Sequence, residues 1–195
     1  MIISKRRALI ASIMAIVLVH TQGCALLAVG AAGAITAKVA NDRRTVGTQL
    51  DDQTAEGQVA YRWSKNESLK KSANLQIDIY NGVALVTGQA PSQVLIDEAI
   101  AAVKSVEYVQ KVHNQIRIGM PIDASAQAKD IWLASKVKTK LVADERIPSL
   151  QVKVIVQNSE VFLMGRVTNQ EGTYAVDVAR NINGVTRVIR AFEIM

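Results

Sequence analysis

The side chains able to carry out covalent, acid–base or metal chemistry are few. The whole chain has one cysteine, Cys24, and two histidines, His20 and His113. A metal centre built from several Cys and His ligands is excluded on that count. A Ser-His-acid relay has to use His113, because His20 lies in the N-terminal segment described below. His113 stands between Val112 and Asn114 in an alternating run that turns it toward solvent, a poor setting for a general base. Asp51-Asp52 and Asp97-Glu98 are adjacent pairs, and neighbours on a helix do not face one another. Asp51-Asp52 instead reads as the capped, acidic start of a first helix, and Asp130 as the opening of a matching helix later on. Gly82 and Gly88 belong to a hairpin, and Gly30 and Gly33 to an Ala/Gly-rich stretch, so no glycine loop cradles a phosphate. The inventory points away from catalysis and implies no cofactor.

Surface chemistry remains. Residues 129–141 read Lys-Asp-Ile-Trp-Leu-Ala-Ser-Lys-Val-Lys-Thr-Lys-Leu. As a helix, Leu133, Val137 and Leu141 recur every four residues as a core stripe. Trp132, Lys136 and Lys140 form a neighbouring stripe, with Lys129 about one turn earlier. Indole beside ammonium groups suits a bilayer interface, the ring at headgroup depth and the charges on phosphates. The candidate lipid-binding set is Lys129, Trp132, Leu133, Lys136 and Lys140, with Leu133 serving the core stripe too. The other reading of Trp132 is packing along a domain edge or between repeats. Trp63, aligned with Leu141, reads as core.

The elements that must position these residues begin with the N-terminus. Lys5, Arg6 and Arg7 precede an apolar run from Ala8 to Val19, and Gly23-Cys24 closes the segment. Basic, apolar, then small is the order of a secretory signal. The Gly-Cys junction resembles a bacterial lipobox. That resemblance implies removal of residues 1–23 and acylation of Cys24 as a covalent lipid anchor. An uncleaved membrane anchor is the alternative, since no formal charge occurs between Arg7 and Lys38. His20, Thr21 and Gln22 interrupt such a span. Either way, the rest of the chain lies outside the cytoplasm. A lone cysteine forms no intrachain disulfide, so the fold rests on its core. Removing Lys5, Arg6 and Arg7 takes the formal charge from +6 to +3, no polyanion-binding extreme, and no nucleic-acid partner is expected. Residues 24–44 read as a lipidated tether, in which Lys38, Arg43 and Arg44 either lie on anionic headgroups or are simply solvated.

Beyond the tether the chain repeats. Residues 75–88 place Leu75, Ile77 and Ile79 at alternate positions, then Asn81-Gly82, then a second apolar run ending in Gly88. Residues 152–165 do the same with Val152, Val154 and Val156, Asn158-Ser159, and Gly165. Alternation predicts half-buried strands, and Asn-Gly a two-residue hairpin turn. Helical stretches are expected at about 91–104, with Pro91 in the first turn, and about 168–181. Val106–Val112 and Ile182–Val188 then lead into closing strands that end at Ile118 and Ile194. Val59 and Trp63 match Val137 and Leu141 on an upstream helix of each copy. Each unit is helix, strand, strand, helix, strand: an α+β fold with two helices on one face of a three-stranded sheet.

This order resembles the BON domain. So do the Asn-Gly-x-Val-x-Leu-x-Gly-like hairpin and the closing Gly184-Val185-Thr186-Arg187-Val188. Repeat one departs where Tyr108 replaces the closing glycine. The resemblance covers about residues 45–195, with domains at 45–119 and 120–195. With Cys24 in front, and with Thr45-Val46-Gly47-Thr48-Gln49 and Glu160-Val161-Phe162-Leu163-Met164-Gly165, the chain is similar to dual-BON outer-membrane lipoproteins. The resemblance implies a non-catalytic lipoprotein on the periplasmic face of the outer membrane that binds anionic phospholipid and supports envelope integrity. It implies enrichment at division sites and further partners among envelope proteins. The rival expectation is a periplasmic adaptor for outer-membrane assembly or cell-wall factors. The lysine run belongs to repeat two alone, so repeat two is expected to meet lipid, and repeat one to pack on it or hold a protein.

Overall fold

The computed structural model describes residues 42–195. The expectations for the signal segment, for Cys24 and for the tether through residue 41 lie outside the described residues. The first domain runs α1 (Val46–Lys65), α2 (Glu67–Ser72), β1 (Asn74–Tyr80), β2 (Val83–Ala90), α3 (Gln93–Lys104) and β3 (Lys111–Ile118). The second runs α4 (Ala124–Val142), a 3-10 turn (Ser149–Gln151), β4 (Lys153–Gln157), β5 (Glu160–Val167), α5 (Asn169–Arg180) and β6 (Arg187–Ile194). In each sheet the first two strands are antiparallel and the third joins the second in parallel. The expected αββαβ order holds in both copies, with short α2 added to the first.

Hydroxyls and carboxylates set the helix starts. Thr45 caps α1 by accepting from the Thr48 N–H, Ser92 caps α3, and Asp123 caps α4. Thr168 and Glu171 form a reciprocal capping box on α5. Asp51-Asp52 and Asp130 are therefore not helix openers: all three lie inside helices already capped upstream, by Thr45 and Asp123. Pro91 stands just before the Ser92 cap rather than in the first turn.

Asp52 and Asp130 do something else, identically in the two copies. The Asp52 carboxylate accepts from the backbone N–H of Asn81 (2.7 Å) and Gly82 (2.9 Å). Asp130 accepts from Asn158 (2.6 Å) and Ser159 (2.8 Å). Each acid pins the tip of its hairpin onto its helix. Both tips are left-handed at both central residues, with φ of 52° and 73° at Asn81-Gly82 and 54° and 62° at Asn158-Ser159. That conformation matches the strand twist, as the Asn-Gly reading requires.

The central layer of the molecule forms between the repeats. Strand alternation sends Ala84 and Val86 toward α1 and α3, and Val161, Leu163 and Val167 toward α4 and α5. The intervening residues face the other way. Tyr80, Leu85, Ile155, Phe162, Met164 and Ala191 form one buried cluster drawn from both sheets. The two sheets thus pack face to face with a helical layer outside each. Ion pairs rim the contact: Lys153 with Asp78 (2.9 Å) and Glu56 (3.0 Å), and Arg117 with Glu160 (2.6 Å). Burial opposes the charge on Lys153, yet Asp78 and Glu56 outweigh it and hold the ammonium pKa above its ordinary value.

This packing corrects two expectations. His113 pairs with Leu85 across the sheet, shares its inward face and is half-buried rather than solvent-facing. Arg43 and Arg44 are neither a headgroup patch nor a solvated tether. Arg43 pairs with Glu171 (2.8 Å), and Arg44 pairs with Asp52 (2.8 Å) while lying 3.7 Å from the Tyr80 ring centroid. Trp63 is core as expected, its indole N–H donating to the Ala99 carbonyl.

Candidate membrane-binding surface

The outer face of α4 follows from its inner one. Leu133, Val137 and Leu141 are fully buried against β4, β5 and α5. Asp130, tied to the hairpin, fixes the rotation of the helix. Trp132 is then turned outward and 58% exposed. The Lys136 ammonium lies 4.9 Å from the Trp132 ring centroid and 3.5 Å from the Asn183 carbonyl. Lys129, Lys138 and Lys140 are exposed on the same helix. An exposed ammonium-ring contact of this kind contributes on the order of 0.5–1 kcal/mol and leaves the indole edge free.

Of the five residues named from sequence, four meet on this surface: Lys129, Trp132, Lys136 and Lys140. Leu133 does not. It has no accessible surface, because its azimuth on the helix points into the sheet, so it cannot touch lipid from this conformation. Two apolar residues escaped the sequence reading, Ile131 (70% exposed) and Val142 (67%). Their signal was available, since both fall opposite Leu133 and Val137 on the 3.6-residue wheel.

The same surface of the first domain is chemically different. Asp52 and Asp130 are equivalent by their turn contacts, so counting outward from them aligns α1 with α4. Lys129 then corresponds to Asp51, Trp132 to Thr54, Lys136 to Gln58 and Lys140 to Arg62. The Arg62 guanidinium is engaged with the Ser105 hydroxyl. At the closing loop, Gly184 takes φ of 102°, a value closed to most side chains, whereas Tyr108 has no positive φ. Both loops still make the same bond, Gln110 N–H to the Gly82 carbonyl (2.8 Å) and Thr186 N–H to the Ser159 carbonyl (2.9 Å).

His113 and one small cleft are the other features of the described residues that bear on chemistry. Burial, and secondarily the charge on Lys111, hold the His113 pKa below its ordinary value. A cleft of about 160 Å3 lies between Thr48, Asp51, Asn81, Gly82 and Tyr108, and the Asp52 carboxylate that also lines it is committed to the turn. Among the described residues no three His, Cys, Asp or Glu side chains stand as a metal cluster, and no helix is long and apolar enough to cross a membrane.

A duplicated αββαβ unit with its sheets face to face and a lysine-aromatic helix on one outer layer defines a class of protein. The BON domain family matches residues 51–120 and again 129–195. Over 175 residues the chain is 40% identical to "Outer membrane lipoprotein DolP" of Haemophilus influenzae, covering 90% of each protein. It is 38% identical over 149 residues to the "21 kDa hemolysin" of Actinobacillus pleuropneumoniae, covering 76% of this chain and 77% of that one. Against "Osmotically-inducible protein Y" of Escherichia coli it is 29% identical over 154 residues, covering 77% and 76%. The chain belongs to the BON family, as a dual-BON-domain lipoprotein.

Proposed function

We propose that this protein is a non-catalytic lipoprotein, held at the periplasmic face of the outer membrane by acylated Cys24, that supports envelope integrity by binding anionic phospholipid through α4. The observation that carries the reading is Trp132, exposed on an outer helical layer with the Lys136 ammonium on its ring and Lys129 and Lys140 flanking it. Exposed Ile131 and Val142 add apolar surface to the same layer. The name printed for the Haemophilus relative, an outer membrane lipoprotein, supports the outer-membrane part of this reading. Domain boundaries follow: residues 1–23 removed, a tether from Cys24, and folded domains at 45–119 and 120–195.

The test is binding of the unacylated chain to vesicles of zwitterionic lipid, with and without phosphatidylglycerol. A basic residue near an anionic surface contributes about 1 kcal/mol, so losing two lysines weakens binding by roughly 30-fold. Lys136→Glu/Lys140→Glu should lose at least that, and Trp132→Ala should lose affinity without unfolding. Binding indifferent to phosphatidylglycerol or to these folded variants refutes the reading. It would favour the adaptor alternative, in which the basic helix meets an acidic envelope protein.

A further inference from the structure

The start of the folded unit ties the two domains together. The Arg43 guanidinium forks onto the Glu171 carboxylate at 2.9 and 2.8 Å and donates to the Arg166 carbonyl at 2.9 Å. Its backbone N–H donates to the Gln151 side chain at 2.8 Å. Arg166 returns a bond to the Arg43 carbonyl at 3.2 Å and pairs with Glu193 at 3.3 Å. Glu193 accepts from the Asn81 amide at 2.5 Å, and the Asn81 N–H is held by Asp52, the partner of Arg44. Contacts therefore run without a break from the first turn of α5, through β5 and β6, to the hairpin tip and α1 of the first domain. The forked arginine matters, because a planar guanidinium meets both carboxylate oxygens at fixed geometry.

We propose that Arg43 is a positioning residue, a latch that locks the two domains into one body so that α4 and α1 are held facing opposite ways. The direction of its effect rests on α4 being the lipid-facing surface. Sheets packed face to face lie about 10 Å apart and helices are about 10 Å across, which puts the α1 and α4 axes roughly 30 Å apart. With α4 on a bilayer, the outer face of α1, marked by exposed Tyr61, is turned to the aqueous side. A hinged pair of domains would let either helical layer reach the membrane, whereas the latched pair admits only the second.

The experiment uses the full chain after the signal segment, with Cys24→Ser and spin labels at Tyr61→Cys and Ser135→Cys, both exposed on outer helical faces. In solution the parent should give one narrow distance distribution. Arg43→Ala/Asn81→Ala should broaden it at least twofold while helical circular dichroism is retained, and Arg43→Lys with Asn81 intact should recover most of the narrow form. A broad parent distribution, or an unchanged one in the double variant, overturns the latch. If the double variant loses its helical signal, the comparison of Arg43→Lys with Arg43→Ala decides in its place. On phosphatidylglycerol vesicles the parent label at 61 should remain inaccessible to lipid-soluble oxygen, and protection should fall when the latch is removed. Lipid contact at 61 in the vesicle-bound parent overturns the orientation. Absence of any vesicle binding sinks the lipid reading alone, since the distance measurement in solution tests the latch independently.

Discussion

Replacing Asp52 with alanine should destabilise the protein more than the same change at Asp130, and the difference measures the first hairpin's second role. Asp52 is 4% exposed and receives two backbone N–H groups, at 2.7 and 2.9 Å. Hydrogen bonds to a charged group contribute roughly 1.5–3 kcal/mol each, and the orphaned donors must then be rehydrated or left unpaired. The Arg44 guanidinium, with 13% of its side chain exposed, loses its 2.8 Å partner as well. A loss of about 4 kcal/mol follows. Asp130→Ala removes only two N–H contacts, and Asn158 is exposed enough for water to replace them, so about 2 kcal/mol is expected. For a unit of this size each kcal/mol moves Tm by roughly 2–4 °C. Calorimetry should therefore show a drop of about 8–16 °C for Asp52→Ala and about half that for Asp130→Ala. Arg44→Ala should cost less in the Asp52→Ala background than alone, because the two share a contact. Equal losses at the two acids, or a loss below about 1 kcal/mol at Asp52, would refute the assignment of the turn as a joint between domains.

Two glycines should respond in opposite senses to alanine. At Gly165, with φ of 148°, a Cβ would stand 2.0 Å from the Gln151 carbonyl oxygen, so backbone must move and urea unfolding should report a loss above about 2 kcal/mol. At Gly57, mid-helix in α1 with nothing within 4 Å, alanine should stabilise by about 0.5–1 kcal/mol. Leu133→Ala should cost about 3 kcal/mol in the same assay as a core cavity, whereas Trp132→Ala should cost under about 1 kcal/mol. The Arg43 hydrogen bond holds Glu171 at about 2, below its ordinary value. A depressed carboxylate contributes stability above the unfolded pKa of about 4.3 and loses it as pH falls toward the folded value. Stability should thus decline from about pH 5 to about pH 2, and Glu171→Gln should flatten part of that limb while lowering the neutral plateau.

The element order was legible because both copies write it in the same alphabet. Alternating Leu75, Ile77, Ile79 and Val152, Val154, Val156, with Asn81 and Asn158 after them, leave little choice of hairpin. The surface of α4 was legible for a similar reason, as a helical wheel separates Trp132, Lys136 and Lys140 from Val137 and Leu141 without any tertiary information. What a linear reading lacks is the partner of a second face. His113 alternates as a solvent residue in its own strand, yet it pairs with Leu85 and so shares the sheet face on which the two domains pack, where it is half-buried. Arg43 reads as free charge because its partner Glu171 is 128 residues away. Asp52 and Asp130 look like helix-start acids until the hairpin tips fold back onto them. In each case a long-range contact decided the role, and a one-dimensional pattern cannot carry it.

Duplication followed by packing accounts for the division of labour. The two hairpin tips start from the same geometry, each held by a helix acid. When the sheets close on each other, the first tip is drawn inward, and Asn81 donates to Glu193 of the second domain. At the second tip the contact falls one residue later, where Glu160 pairs with Arg117 of the first domain (2.6 Å), and Asn158 itself remains exposed. The first domain's hairpin tip is therefore spent on the joint, while Asn158 of the second tip, the closing loop with Asn183 and Gly184, and the outer face of α4 stay on the surface. On this argument a charge transplant should fail in an instructive way. Giving α1 the residues of α4, through Asp51→Lys, Thr54→Trp and Gln58→Lys, adds a second basic aromatic helix on the opposite outer layer. With the domains latched, one molecule then carries two lipid faces turned apart and should cross-link anionic vesicles into aggregates seen by light scattering. If the domains were hinged, both faces could settle on one bilayer, and the same variant should bind more tightly with no aggregation. Aggregation in the latched protein, converted to tight single-vesicle binding by Arg43→Ala/Asn81→Ala, is the outcome this geometry requires.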